Sequence, residues 1–367
     1  MSKKTKDSDK TYNFRYLSLC AIILALAVVF GLLNNKFFGV SNLMNIIRQT
    51  AVIAILSIGM TFVILTGGID LSVGSNLALG GAVGVWAYNQ TGSAAVSFLA
   101  AILSCTLVGL VNGILIGQLQ ISAFIATLAM QSAARGLTMV ITGGGAMGIE
   151  NDAYYFIGQG QILGAVPVSL FLVIFLFIIF GFICGRTVLG RQFYAVGGNI
   201  KASKAMGIRV VRRIASAYVL AGIMAGIAAI LTVGRVSSAQ PYAGTGTEFD
   251  VIIAVVIGGT SLVGGAGTMS GTIFGCVIMG IISNGMGLQN TQPFAEYLIK
   301  GALVLAAVYV DTMMCAVQQR RLVPAVEKTE QGNAEEIGVI QKIKEETDHT
   351  VVMKNITKTT ATAYLAI

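Results

Sequence analysis

Six side chains have the character to handle a polar solute inside an apolar chain: Asp70, Ser72, Asn76, Arg135, Glu248 and Asp250. A carboxylate at the centre of a membrane-spanning helix costs about 2.5–3.5 kcal/mol on insertion scales, so each acid must face a polar cavity, a partner or the surface. Their shared chemistry is hydrogen bonding and charge pairing. Asp70 sits in TGGIDLSVGSN, between AVIAILSIGMTFVIL and LALGGAVGVWAY. Gly67, Gly68 and Gly74 permit a backbone break there, which membrane depth tolerates only inside protein or beside water. Two readings stay open. Asp70 lines a polar cavity, or it lies in a surface loop and caps a helix beginning near Leu71. Either way the segment is re-entrant or broken.

Glu248 and Asp250 lead the apolar run of EFDVIIAVVIGG, where carboxylates favourably meet a helix N-terminus. The alternative is a polar route with Arg235 as counter-charge. Arg135 is a lone cation in FIATLAMQSAARGLTMVIT. It either snorkels to an interface or pairs with Asp70 or Glu248. VILTGGIDLSVGS and AVVIGGTSLVGG each end an apolar run in Gly-Gly, a pattern met in paired broken segments of transporters and equally in glycine-rich membrane chains generally.

A second constellation is GRTVLGRQFYAVGGNIKASKAMGIRVVRR, Gly185 to Arg213. Asn199 is placed to cap a helix over Ile200–Met206, Lys204 falls in its last turn, and Gly207 stops it. A two-turn helix is unstable alone, so this one docks on something or remains a solvated loop.

Composition fixes the setting for these residues. The chain is 55% hydrophobic and 11% charged, against roughly 25% charged in soluble domains, with a mean hydropathy of +0.80. A spanning helix needs about 20 apolar residues. Windows at 17–33, 46–66, 71–88, 94–117, 121–142, 167–184, 214–234, 250–263, 268–287 and 294–313 qualify or nearly do. The expected fold is therefore an all-α polytopic membrane protein with about eight to ten spans, some of them broken or re-entrant. Its divisions are a basic N-terminal segment (1–16), a transmembrane domain (17–314) holding the basic loop 185–213, and a charged tail (315–367) with room for a short helix over 337–346. The first apolar run reads as a retained span, because its small residues Ala25 and Ala27 lie inside it. The 45 glycines read mostly as helix-packing residues.

The net charge of +8 gathers before the first span and in the basic loop. By the positive-inside rule both face the cytoplasm, which accounts for the charge without nucleic-acid binding. Residues 143–166 carry Glu150 and Asp152 but no Lys or Arg, which suits the outside. The single histidine, His349, lies in the tail, and the five cysteines are scattered. Histidine catalysis in the membrane, a metal site and a disulfide framework are thus not indicated. An intramembrane enzyme lacks a nucleophile and base pair. No G-x-x-x-x-G-K-[ST] occurs, so ATP-driven work needs a second chain.

Five stretches together carry a family likeness: NLMNIIRQTAVIAILSIGMTFVILTGGIDLSVGS, FIATLAMQSAARG, LGRQFYAVGGNIKASKAMGI, RVSSAQPYAGTGTEFDVIIAVVIGGTSLVGG and IKGALVLAAVYVD. Over roughly Ser41 to Asp311 the chain resembles the membrane permease of ribose-type ABC sugar importers. The resemblance implies a two-copy permease core of about ten helices per chain in a bacterial cytoplasmic membrane, with both termini inside. It also implies a sugar-binding protein docking outside and an ATPase subunit docking inside. No cofactor is expected on this chain; ATP and Mg belong to the partner ATPase. Membrane lipid surrounds the whole. The likeness makes the basic loop the coupling loop, with Gly197, Gly198, Asn199, Ala202, Lys204 and Gly207 at the ATPase contact. Lys201 and Met206 depart from the family's more usual small residue and serine. The expected function is monosaccharide translocation, ribose first, by alternating access, with Asp70, Ser72, Asn76, Arg135, Glu248 and Asp250 along the path. The competing class is an ion-coupled secondary transporter using Asp70 and Glu248.

Overall fold

The structure, a computed structural model, describes residues 3–162, 164, 166–289, 295–309 and 311–313, with side chains from Tyr16 onward. The chain divides into a unit ending at Asp311 and a second unit from Thr312. The tail 315–367, including the stretch expected to be helical at 337–346, lies outside the described residues.

Helices occupy the apolar runs: α1 Lys3–Leu33, α2 Val40–Leu65, α3 Val73–Thr91, α4 Ala94–Gly117, α5 Ala123–Thr142, α6 Asp152–Gln159, α7 Val168–Arg186, α8 Val188–Gly198, α9 Ile200–Ala205, α10 Val210–Val236, α11 Thr247–Ile257 and α12 Met269–Leu288. The stretch 295–309 is helical as well. Among the described residues seven helices are long and apolar enough to cross a membrane: α1 from Tyr16, α2, α4, α5, α7, α10 and α12. Three expected spans fall outside that set, the window 294–313 among them, of which the structure describes 295–309 and 311–313. α3 carries glycines and polar residues, and α11 has 11 residues, about 16 Å of helix against a hydrocarbon core of about 30 Å. The expected window 250–263 is thus half a span, closed at Gly258 and Gly259. The basic N-terminal segment is no separate element either, because α1 is continuous from Lys3.

Short pairings finish the end opposite the basic loop, here the far end. β1 (Met147–Gly148) pairs antiparallel with β4 (Ser238–Ala239), and β2 (Gln161–Ile162) pairs with β3 (Val166–Pro167). After α10 the chain turns at Ser237 in the left-handed region (φ 51°) and runs back inward to α11.

The spanning windows of α2 and α12 are 72% buried and that of α1 6%, so α2 and α12 are central and α1 peripheral. α1 is fastened at both ends of α12, by Tyr16 Oη to Ser270 Oγ (2.8 Å) and by Asn34 Nδ2 donating to Leu288 O (3.1 Å). Asn42 of α2 and Asn284 of α12 exchange amide hydrogen bonds of 3.0 and 3.1 Å. Lipid supplies no hydrophobic drive between helices, so close backbone approach does the work. The α4–α10 seam is built this way. Gly109 faces Tyr218 O, Gly113 faces Ala215, Gly222 faces Cys105 O and Gly226 faces Ile102.

At Gly113 an added Cβ would lie 2.8 Å from Ala215 Cα, whereas at Gly136 of α5 it meets nothing within 4 Å. Gly113→Val is therefore expected to cost about 1–3 kcal/mol through overpacking, and Gly136→Ala to be neutral or slightly stabilising. Thermal unfolding of the detergent-purified chain measures both; equal behaviour of the two variants would contradict the close α4–α10 seam.

Candidate functional site

The break between α2 and α3 is held by side chains from three other helices. The chain leaves α2 at Leu65, turns through Gly67 (φ 79°) and enters α3 at Val73. Asp70 Oδ1 accepts from the backbone N–H of Ser72 (2.9 Å) and from its hydroxyl (2.6 Å). Ser72 Oγ in turn accepts from Asn112 Nδ2 of α4 (3.0 Å). Asn76 Nδ2 donates to Cys105 O, and Cys105 Sγ donates back to Asn76 O, both at 3.1 Å. The carbonyl of Ile69 accepts from Tyr218 Oη of α10 (3.2 Å) and Thr127 Oγ1 of α5 (3.5 Å). Within the chain Asp70, Ser72 and Asn76 are thus drawn together as a buried brace. Asp70 is not the cap of a helix starting near Leu71. Ser72 occupies the N-cap position of a helix starting at Val73, and the Asp70 carboxylate organises the turn before it.

Arg135 enters no ion pair within 4 Å among the described residues, although Glu248 lies within its electrostatic reach. Its Nη1 donates to Pro241 O (2.6 Å) and Ala243 O (2.9 Å), carbonyls of the inward-running segment that no helix satisfies. Glu248 and Asp250 occupy the first turn of α11, where the helix dipole favours them. Glu248 Oε1 accepts from Gln131 Nε2 of α5 (3.1 Å). Arg235 is not the counter-charge of Asp250. That role falls to Lys300, whose Nζ lies 2.9 Å from Asp250 Oδ2 and 2.9 Å from Glu296 Oε1. Sequence reading passed over Lys300, although a single lysine four residues after Glu296 in an apolar run carries the same signal as Arg135.

The basic loop is more ordered than expected, since the expected two-turn helix is preceded by α8. Asn199 Oδ1 accepts from Ala202 N (2.9 Å), α9 runs over Ile200–Ala205, and Gly207 (φ 78°) closes it with Ile208 N donating to Ser203 O (3.0 Å). Gly198, Asn199, Ala202, Lys204 and Gly207 are exposed, and Ser203 is buried. α8 is anchored to α2 twice. Phe193 meets Phe62 edge-on at 5.1 Å. Gly197 lies against the Leu65 carbonyl, so close that a Cβ would overlap it.

The same Leu65 carbonyl accepts from Gly265 N (3.0 Å), and Gly264 (φ 93°) packs on Gly67 and Gly197. Three glycine turns therefore meet at one carbonyl: the end of α8, the end of α2 and the loop between α11 and α12. The two Gly-Gly stretches noted in the sequence converge here. The junction offers no reactive side chain, and its backbone contacts leave little slack. Among the described residues no group of His, Cys, Asp and Glu could hold a metal ion. Cys105, Cys184 and Cys276 are buried free thiols.

Two outcomes follow from these contacts. Gly197→Ala pushes a methyl into the backbone of Leu65 and Gly265 and is expected to cost about 1–3 kcal/mol, whereas Gly198→Ala, with nothing within 4 Å, leaves thermal unfolding unchanged. Lys300→Met strands the buried Asp250 carboxylate and is expected to lower stability by about 3–5 kcal/mol, with much of the loss recovered in the double variant Lys300→Met/Asp250→Asn. A double variant no better than Lys300→Met alone would argue against the pairing.

A family model described as the branched-chain amino acid transport system / permease component matches residues 42–308. The ribose import permease protein RbsC of Escherichia coli K12 is 42% identical over 306 residues, covering 82% of this chain and 95% of that protein. RbsC of Bacillus subtilis is 40% identical over 291 residues, covering 79% and 90%. The L-arabinose ABC transporter permease protein AraH of Azospirillum brasilense is 34% identical over 301 residues, covering 81% and 88%. With the family model spanning the break, the basic loop and α11, and with these relatives aligned along most of their length, the chain belongs to the branched-chain amino acid transport system permease component family, as a ribose-type permease of ABC sugar importers.

Proposed function

We propose that this chain carries ribose across the bacterial cytoplasmic membrane as one of two identical permease copies, driven by a separate ATPase that binds ATP and Mg. The relatives named for ribose and arabinose import support the substrate class, and those named for ribose are the more similar. The basic loop faces the cytoplasm together with both termini, by the positive-inside rule. The far end then faces outward and receives sugar from a binding protein.

The observation that carries this reading is the exposed α9 standing next to the three-glycine junction. A partner seated on Asn199, Ala202, Lys204 and Gly207 moves α9. Because α8 is locked to α2 by Phe193 and Gly197, the displacement enters the Leu65 junction, and from there both the α2–α3 break and the α11–α12 loop. These are the interrupted elements of the bundle, able to reorient without breaking a continuous helix. Asp70, Ser72 and Asn76 act in this reading by keeping the break rigid so that it moves as a unit. Arg135, Glu248 and Asp250 hold the inward-running segment that borders the sugar path.

The test is sugar-stimulated ATP hydrolysis in proteoliposomes holding this chain, its ATPase and its binding protein. Ribose is expected to stimulate hydrolysis, and Gly198→Trp, placed where an added side chain meets open space, is expected to assemble yet lose the stimulation. Full stimulation in Gly198→Trp would remove the loop from coupling. Stimulation by another monosaccharide alone would replace ribose, and uptake collapsed by a proton uncoupler with ATP maintained would turn the reading toward ion coupling.

A further inference from the structure

Two open polar clefts of about 560 and 210 Å³ lie between α2, α10, α12 and the helical stretch 295–309, with α6 bordering the first and α3 and α11 the second. They share Gln49, Arg235, Ser283 and Glu296, so they form one recess. The larger part reaches the far end at Asn42 and Leu288, and the smaller ends at Asp250 and Lys300. Its size falls in the roughly 300–1,000 Å³ range of small-molecule sites.

The groups lining it are incompletely bonded, in both senses. Arg48 Nε, Ser283 Oγ and Asp250 Oδ1 are buried with no hydrogen-bond partner. Arg235 borders both parts and enters neither ion pair found among the described residues. Arg48 thus brings an unused donor to the lining and Arg235 a cation outside both of those ion pairs, alongside an unused carboxylate oxygen and a hydroxyl that can serve either way. Buried groups of this kind require partners from outside the chain. A bare anion meets repulsion from Asp250 and Glu296, and an apolar ligand leaves every one of these groups unpaired. Neighbouring hydroxyls, each donor and acceptor at once, satisfy both sets. No aromatic ring lines the recess among the described residues, so a sugar there is held by hydrogen bonds alone and leaves readily.

We propose that each chain carries its own weak monosaccharide site in this recess, held by Arg48, Gln49, Arg235, Ser283 and Asp250, separate from any path formed between two copies. The proposal rests on the sugar-importer reading and specifies where within one chain the substrate pauses.

The experiment uses the assembled importer in lipid nanodiscs with Asn45→Cys, and Val52→Cys as an independent second position, against the unsubstituted chain as blank for the native cysteines. Modification by a small sulfonate thiosulfonate reagent is timed with and without D-ribose, and ribose uptake is measured on the same variants in proteoliposomes. Ribose is expected to slow modification at both positions in a concentration-dependent way, about tenfold when present at about ten times its dissociation constant. Ribose uptake with unaltered modification at both positions would overturn the recess as a sugar site while leaving the importer reading intact. Protection by sulfate at matched ionic strength and none by ribose would overturn it in favour of an anion site. Absence of ribose uptake in the unsubstituted importer together with absence of protection would bring down the ribose reading and this proposal with it.

Discussion

Inside a bilayer a helix can be interrupted only if the freed carbonyls find donors within the protein, and this chain interrupts its helices twice near its centre. The donors are few and specific. Gly265 N serves Leu65 O, Tyr218 and Thr127 serve Ile69 O, and Arg135 serves Pro241 O and Ala243 O. Each belongs to a different segment of the chain from the carbonyl it serves. Satisfying the breaks is therefore part of assembling the bundle, and α5 and α10 are placed by it.

This constraint explains the placement of the glycines. Along α4 and α10 they bring backbones together over several turns, giving a rigid seam. At Gly67, Gly197, Gly264 and Gly265 they let three chain segments meet at one carbonyl, where any Cβ but the one at Gly198 would collide or strain the backbone. In the proposed function the seam resists motion and the junction passes it on. An importer permease needs both, because a soft bundle would absorb the displacement of a short surface helix such as α9 before it reached the interior.

The carboxylates illustrate the same economy. Asp70 and Asp250 both resemble candidate ion sites in sequence, yet Asp70 is spent on the Ser72 turn and Asp250 on Lys300. Asp250 keeps one oxygen without a partner, on a residue that lines the recess together with Arg235. Hydrogen bonding to a neutral polyhydroxylic solute suits that remainder better than the binding of a bare cation beside Lys300.

Much of the fold was legible in the residues. Apolar length located most of the helices, Asn199 and Gly207 bounded α9 to within one residue, and the glycines about Asp70 announced a break. Helix length misled at α11, because apolarity continues through Ser261, Leu262 and Val263 after Gly258 and Gly259 have ended the helix. The sequence by itself determined the membrane class, the basic loop and the kinds of residue available for polar contacts, since those depend on local composition and spacing. Only the tertiary structure decided which partner each polar group took: Lys300 rather than Arg235 for Asp250, the carbonyls of Pro241 and Ala243 for Arg135, and Leu65 for Gly265. These pairings join residues 50 to 200 positions apart in the chain. Where helices lack a hydrophobic drive to associate, such partners are fixed by packing in three dimensions, which linear spacing does not encode.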